Sequence, residues 1–185
     1  MTPQGCNTSG LVIWFTGLPG AGKSTLGRIV AEHLELTGFV VDVLDGDDLR
    51  QHLTTELGYS RQDRDVNVSR IAWVASRLSR AGAAVVVCVV SPYAEARALA
   101  RAMVEQHTPF IEVHVATSLG ECIRRDPKGL YQKALAGEII GMTGIDDPYE
   151  APSNPDIRVT TELSQPGVTA GIVVSFLARE RLIPG

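Results

Sequence analysis

Aromatic residues make up only 5% of this 185-residue chain, cysteine occupies three positions, and basic side chains are outnumbered by acidic ones, 17 against 21. Each shortage closes a class of function. A formal charge of -4 offers no basic field to neutralise a nucleic-acid backbone, so no nucleic-acid partner is expected and any anion must be captured locally. Cys6, Cys88 and Cys122 are odd in number and form no CxxC pair. Cys88 lies inside the apolar run AAVVVCVV, where a thiol behaves as a small core residue. This usage predicts a reducing cytoplasm and no disulfide framework. The four histidines, His33, His52, His107 and His114, stand at no metal-ligand spacing. No apolar run nears the roughly eighteen residues that cross a bilayer, and MTPQGCNTSG carries no signal segment, so no membrane partner is expected.

What remains is an ordinary composition, 44% hydrophobic and 21% charged, long enough for one well-buried core. A single domain over residues 1–185 follows. Strand-length apolar runs at 11–16 (LVIWFT), 39–44 (FVVDVL), 83–90 (AAVVVCVV), 110–115 (FIEVHV) and, more weakly, 157–161 (IRVTT) alternate with segments of helical periodicity. Their near-continuous apolarity predicts strands covered on both faces. STLGRIVAEHLELTG closes on Gly38, and RQDRDVNVSRIAWVASRLSRAG opens on a capping box of Ser60 and Asp63 and closes on Gly82. PYAEARALARAMVEQ and PGVTAGIVVSFLARERL each carry proline near the first turn. The alternation predicts an α/β fold of three layers, a parallel sheet between helices, with the ligand crevice at the carboxyl ends of the strands. Residues 125–156, rich in glycine, proline and charge around the helical piece LYQKALAGEI, read as a lid.

Residues 17–24, GLPGAGKS, satisfy G-x-x-x-x-G-K-[ST], with a strand before and a helix after. Gly17, Gly20 and Gly22 let backbone N–H groups turn toward phosphates, and the helix N-terminus adds its positive end. Lys23 reaches the outer phosphates and Ser24 is a magnesium ligand; Ala21 and Thr25 complete the nucleotide-binding set. ATP with Mg2+ is therefore the expected donor, on a P-loop NTPase or kinase fold. Guanine-reading NKxD is absent, which excludes a GTPase, and a motor or helicase needs far more chain. A small-molecule or nucleotide kinase fits.

The acceptor side begins at LDGDDLR, 44–50, where three carboxylates in four residues would repel one another unless a cation or a proton transfer uses them. With the second strand expected to end beside the first, Asp45 is a candidate magnesium ligand and Asp47 the candidate base for the acceptor hydroxyl. Asp48 is expected to face away as a helix-start residue. Arg64, Asn67 and Arg70, spaced by three, put two guanidiniums and an amide on one helical face, suited to phosphate or sulfate. The bland alternative is a solvated basic face paired with Asp63 and Asp65.

GLPGAGKST, DGDDLR, LTTELGYSRQDRDVNVSR, SPYAEARALAR, RDPKGLYQKALAGEI and TGIDDPYEAPSNPD, in this order, resemble adenylyl-sulfate kinase (APS kinase). The resemblance runs from about residue 10 to about 160. It implies transfer of the ATP γ-phosphoryl group to the 3′-hydroxyl of adenosine 5′-phosphosulfate (APS), a homodimer, a role in sulfate activation, and ATP sulfurylase as the functionally linked enzyme. It also implies that Asp47 and Arg50 serve the acceptor site with Tyr59 against its adenine, that Arg64 and Asn67 hold the phosphosulfate, and that Val90 and Ser91 line the pocket. Lys128 would descend with the lid, and Arg125 would contact the ATP side. Met142 stands where the family has phenylalanine, which implies a weaker clamp on the acceptor adenine. At Ser91 the resemblance carries the label of a phosphoserine intermediate. The residues themselves read as a helix N-cap followed by proline, and in-line transfer needs no covalent enzyme intermediate. The rival readings are another small P-loop kinase, acting on a sugar acid, a nucleoside monophosphate or an antibiotic hydroxyl, and a nucleotide-binding module without catalysis.

Overall fold

The computed structural model describes residues 10–184. Cys6 and the expected absence of a signal segment lie outside the described residues. Among those described, five strands form one parallel sheet: β1 (Leu11–Thr16), β2 (Val41–Asp45), β3 (Ala84–Cys88), β4 (Phe110–Val115) and β5 (Ile157–Val159). The order is β2-β3-β1-β4-β5. The three central strands are buried along their whole length, which is why they read as unbroken apolar runs; the edge strands β2 and β5 include exposed positions.

Alternation along β1 divides the core. Leu11, Ile13 and Phe15 face one layer, with α1 (Lys23–Leu36) and α7 (Pro166–Arg179), while Val12 and Trp14 face the other, with α3 (Arg61–Arg80) and α4 (Ala94–Glu105). On α1 the buried stripe is Leu26, Val30 and Leu34, each contributing roughly 1.5–3 kcal/mol by leaving water. Gly27 lets this helix approach β3 closely, since a Cβ there would lie 2.3 Å from Cys88 Sγ. The capping box at α3 is present: Ser60 Oγ accepts from Asp63 N at 3.2 Å. Short helices α2 (Gly46–His52), α5 (Leu119–Arg125) and α6 (Leu130–Leu135) stand at the carboxyl edge of the sheet. No helix among the described residues is long and apolar enough to cross a membrane.

The strand order changes one expectation. β3 pairs with both β1 and β2, so the second strand does not end beside the first. Asp45 is opposite Cys88, and Cys88 is opposite Phe15, one strand spacing at a time. A parallel sheet places the carboxyl ends of all its strands on one edge, so the acids still reach the phosphate loop across β3.

Candidate active site

Gly22 forms the N-cap of α1 with φ of 103°, a conformation open to glycine, and a Cβ there would meet the Thr161 methyl at 3.1 Å. The loop is held from behind. Ala21 carbonyl oxygen accepts from Thr117 Oγ1 at 3.0 Å and Thr161 Oγ1 at 2.9 Å. Lys23 curls over the loop and donates to Gly17 O and Leu18 O, both at 2.9 Å. Burial lowers its pKa to about 8, against the pull of the Asp45 and Asp47 carboxylates. Gly20, Gly22, Lys23, Ser24 and Thr25 line a cavity of about 700 Å3. Asp45, Asp47, Val90, Arg125 and Lys128 line the same cavity.

The crowded acids divide their work. Asp45, buried at the end of β2, is the N-cap of α2 and accepts from Asp47 N at 3.0 Å. Asp47 is held only at its backbone there, and its carboxylate, 62% exposed, pairs with Lys128. Asp48, an exposed acid in the first turn of α2 as expected of a helix-start residue, also lies on the cavity lining rather than apart from it, because α2 follows β2 directly.

Three residues past Asp47 on the same helix, Arg50 leads to a second cluster. Its guanidinium stacks 4.3 Å from the Tyr59 ring centroid and donates to Leu57 O and Gly58 O. Arg64 approaches the same ring at 5.6 Å, donates to Tyr59 O at 2.9 Å and Gly141 O at 2.5 Å, and stands 3.7 Å from Asp147. Asn67 accepts from Thr54 Oγ1 at 2.8 Å. Arg64 and Asn67 are buried, so the solvated basic face is wrong for them, whereas Arg70 is exposed and pairs with Glu56. Helical spacing of three drifts around the axis, which takes Arg70 out of the group. Met142 follows Gly141 but buries its side chain in the core shared with α1, its N–H bound by Asp146 at 2.6 Å.

Ser91 departs from the capping expectation. The N-cap of α4 is Tyr93, and Ser91 has φ of +39°, 3% exposure and an Oγ that accepts from Trp14 Nε1 at 3.1 Å. Its neighbour Val90 lines the cavity; Ser91 is not among the lining residues.

Residues 125–156 are two pieces with different attachments. Arg125 is bound to Glu121 and to both oxygens of Thr161 at 2.7 Å. Tyr131 donates to Pro19 O at 2.9 Å, and Lys128 reaches Asp47. Further on, Asp147 accepts from Tyr93, Tyr149 bonds Thr16 and Glu150 bonds Ala94 and Pro92, which fixes this stretch to the sheet edge. Sequence reasoning missed Thr117, Thr161 and Glu121. The signal for the last was the S-x-x-E spacing of Ser118 and Glu121, which opens α5.

The adenylylsulphate kinase family model matches residues 9–160. The chain is 48% identical over 163 residues to a probable adenylyl-sulfate kinase of Aeropyrum pernix, covering 88% of this chain and 89% of that one. It is 49% identical over 156 residues to the adenylyl-sulfate kinase of a Picosynechococcus species, covering 84% and 86%. The structure of the Mycobacterium tuberculosis APS kinase in complex with AMPPNP and APS superposes with a TM-score of 0.88 at 46% identity, over 91% of this chain and 98% of that one. With the phosphate loop, the paired acids and the arginine cluster assembled on one sheet edge, this chain belongs to the adenylyl-sulfate kinase family.

Proposed function

We propose that the protein transfers the γ-phosphoryl group of ATP to the 3′-hydroxyl of adenosine 5′-phosphosulfate, giving 3′-phosphoadenosine 5′-phosphosulfate and ADP. The observation that carries this reading is the span of α2. Asp47 on its first turn lines the cavity of Lys23, and Arg50 one turn later joins the Tyr59 and Arg64 cluster. One helix thus links a triphosphate cradle to an aromatic and cationic site for a second nucleotide.

In the reaction the 3′-oxygen bonds to the γ-phosphorus, the bond from that phosphorus to the β–γ bridging oxygen breaks, and ADP leaves. Asp47 receives the hydroxyl proton. The backbone cradle and Lys23 bind the phosphates and meet the charge that shifts toward ADP. Arg64 and Asn67, both buried, hold the phosphosulfate in line, and Tyr59 presents its ring to the adenine. Arg50 braces that ring. Arg125 serves the ATP side. The lid is the piece carrying Lys128 and Tyr131, and its closure excludes water from the transfer.

The hard oxygens of Ser24 and Asp45 on the wall of the phosphate cavity fit Mg2+. When bound, the ion neutralises phosphate charge. Free, buried Cys88 and Cys122, whose thiols burial raises, suit a reducing compartment such as the cytoplasm. Trp73 on α3 and Leu99 on α4 are exposed and offer a face for a homodimer. ATP sulfurylase, as the source of APS, is the linked enzyme in this reading.

The test is ADP release from ATP and Mg2+ with and without APS, followed by identification of the product. Release that depends on APS and yields the 3′-phosphorylated nucleotide is expected. Equal release in both arms would overturn the reading.

A further inference from the structure

Arg97, on α4, is a buried cation outside the nucleotide cavity, 4% exposed, and every nitrogen of its guanidinium is used. Nε donates to Glu112 Oε1 on β4 at 2.9 Å, Nη1 to Ser91 O at 2.7 Å and Nη2 to Glu150 O at 2.6 Å. A buried ion pair is a poor way to add stability, since a well-packed apolar pair does as well or better. Its use here is geometric. The rigid guanidinium fork fixes two backbone carbonyls that belong to different parts of the machine.

One carbonyl, that of Ser91, directly follows Val90 on the cavity wall. Ser91 holds φ of +39°, an unfavourable conformation for serine that persists only where surroundings over-determine it. Trp14 grips its Oγ at 3.1 Å, Thr16 Oγ1 donates to Val90 O at 2.7 Å, and Arg97 holds the Ser91 carbonyl. Val90, immediately before, lines the cavity. The other carbonyl belongs to the segment after the lid. Glu150 N–H donates to Pro92 O at 2.8 Å, and its carboxylate accepts from Ala94 N at 2.8 Å. Tyr149, next to it, bonds Thr16 at 3.0 Å. Both sides therefore converge on the same few side chains, with the guanidinium at the centre.

We infer that Arg97, clamped by Glu112, is a positioning residue that acts through Ser91 to set Val90, on the cavity wall shared with Asp47 where the acceptor hydroxyl must arrive, and ties it to the 149–150 segment at the sheet edge. This rests on the acceptor being APS, as proposed above. Lysine at this position keeps the charge opposite Glu112 but has no fork to reach both carbonyls. A paired apolar replacement removes the tie without leaving an unpaired charge.

The experiment measures initial rates for wild type, Arg97→Lys, and the double variant Arg97→Met with Glu112→Met. APS is varied at saturating ATP, and ATP at saturating APS, with a thermal melt to confirm folding. In the folded variants kcat/KM for APS should fall about ten- to a hundredfold, the scale expected of a misplaced acceptor, while KM for ATP stays within about twofold. Unchanged APS parameters in a folded variant overturn the inference, and so does an equal loss for both substrates, which would mark Arg97 as a scaffold residue only. Wild type that fails to phosphorylate APS sinks the functional reading and this inference with it; active wild type beside unaffected variants sinks this inference alone.

Discussion

Replacing Asp47 by asparagine separates chemistry from folding. The carboxylate is 62% exposed, and its side-chain partner is Lys128, itself exposed. A surface pair of this kind contributes at most about 1 kcal/mol, and an acid in the first turn of a helix about 0.3–1 kcal/mol. For a chain of this size a loss of 1 kcal/mol moves Tm by roughly 2–4 °C. The amide keeps the shape of the side chain but accepts no proton. Loss of a general base lowers the rate on the order of 10²–10⁴, which is about 3–5 kcal/mol at the transition state. Asparagine should therefore leave the melt nearly unmoved and abolish most of the turnover. KM for ATP should change little, because Lys23 and the loop are untouched. A coupled ADP-release assay beside a thermal melt reads both. A folded Asp47→Asn protein with near-normal kcat would refute the base assignment, and a Tm lower by tens of degrees would show that the side chain holds the fold together.

Lys23 has a pKa lowered to about 8 from 10.5 by burial. Between those values the unfolded chain binds the proton and the folded one does not, so this group's contribution to stability rises as pH climbs from 8 to 10.5. The cost of burying the charge is present below pH 8. Phosphate binding needs the ammonium, so ATP affinity measured by calorimetry should weaken about tenfold per pH unit above 8; a flat profile to pH 9.5 would refute this. Ser91→Ala should retain turnover, since its Oγ is engaged by Trp14 and not by the cavity, and should lose about 1–3 kcal/mol of stability through the unpaired indole N–H. Lost activity in a folded Ser91→Ala protein would sink that reading and revive a phosphoserine intermediate.

Much of the scaffold was legible because its signals are local. β1 and β4 begin and end where their apolar runs do, and α3 starts at Ser60 and stops before Gly82. The phosphate loop was equally plain, being a contiguous motif between a strand and a helix. Strand order was not, because pairing of β3 between β1 and β2 is decided by packing of whole layers rather than by any residue near the acids. Burial of Arg64 and Asn67 was hidden for the same reason. Their partners, Gly141 O and Thr54, come from 77 and 13 residues away. Ser91 looked like a cap because Ser-Pro opens many helices. Contacts from Trp14, 77 residues away, and from Arg97 on the helix that follows hold it in a left-handed turn and shift the helix start to Tyr93.

The hydroxyls of Thr117 and Thr161 bond each other at 2.9 Å as well as sharing the Ala21 carbonyl, and Arg125 braces Thr161 from outside. The incoming triphosphate thus meets a surface whose conformational freedom was surrendered when the chain folded. Little backbone entropy is left to lose at that loop on docking, and the adjustment that docking asks for falls on Lys23, which exchanges its bonds to Gly17 O and Leu18 O for the phosphates.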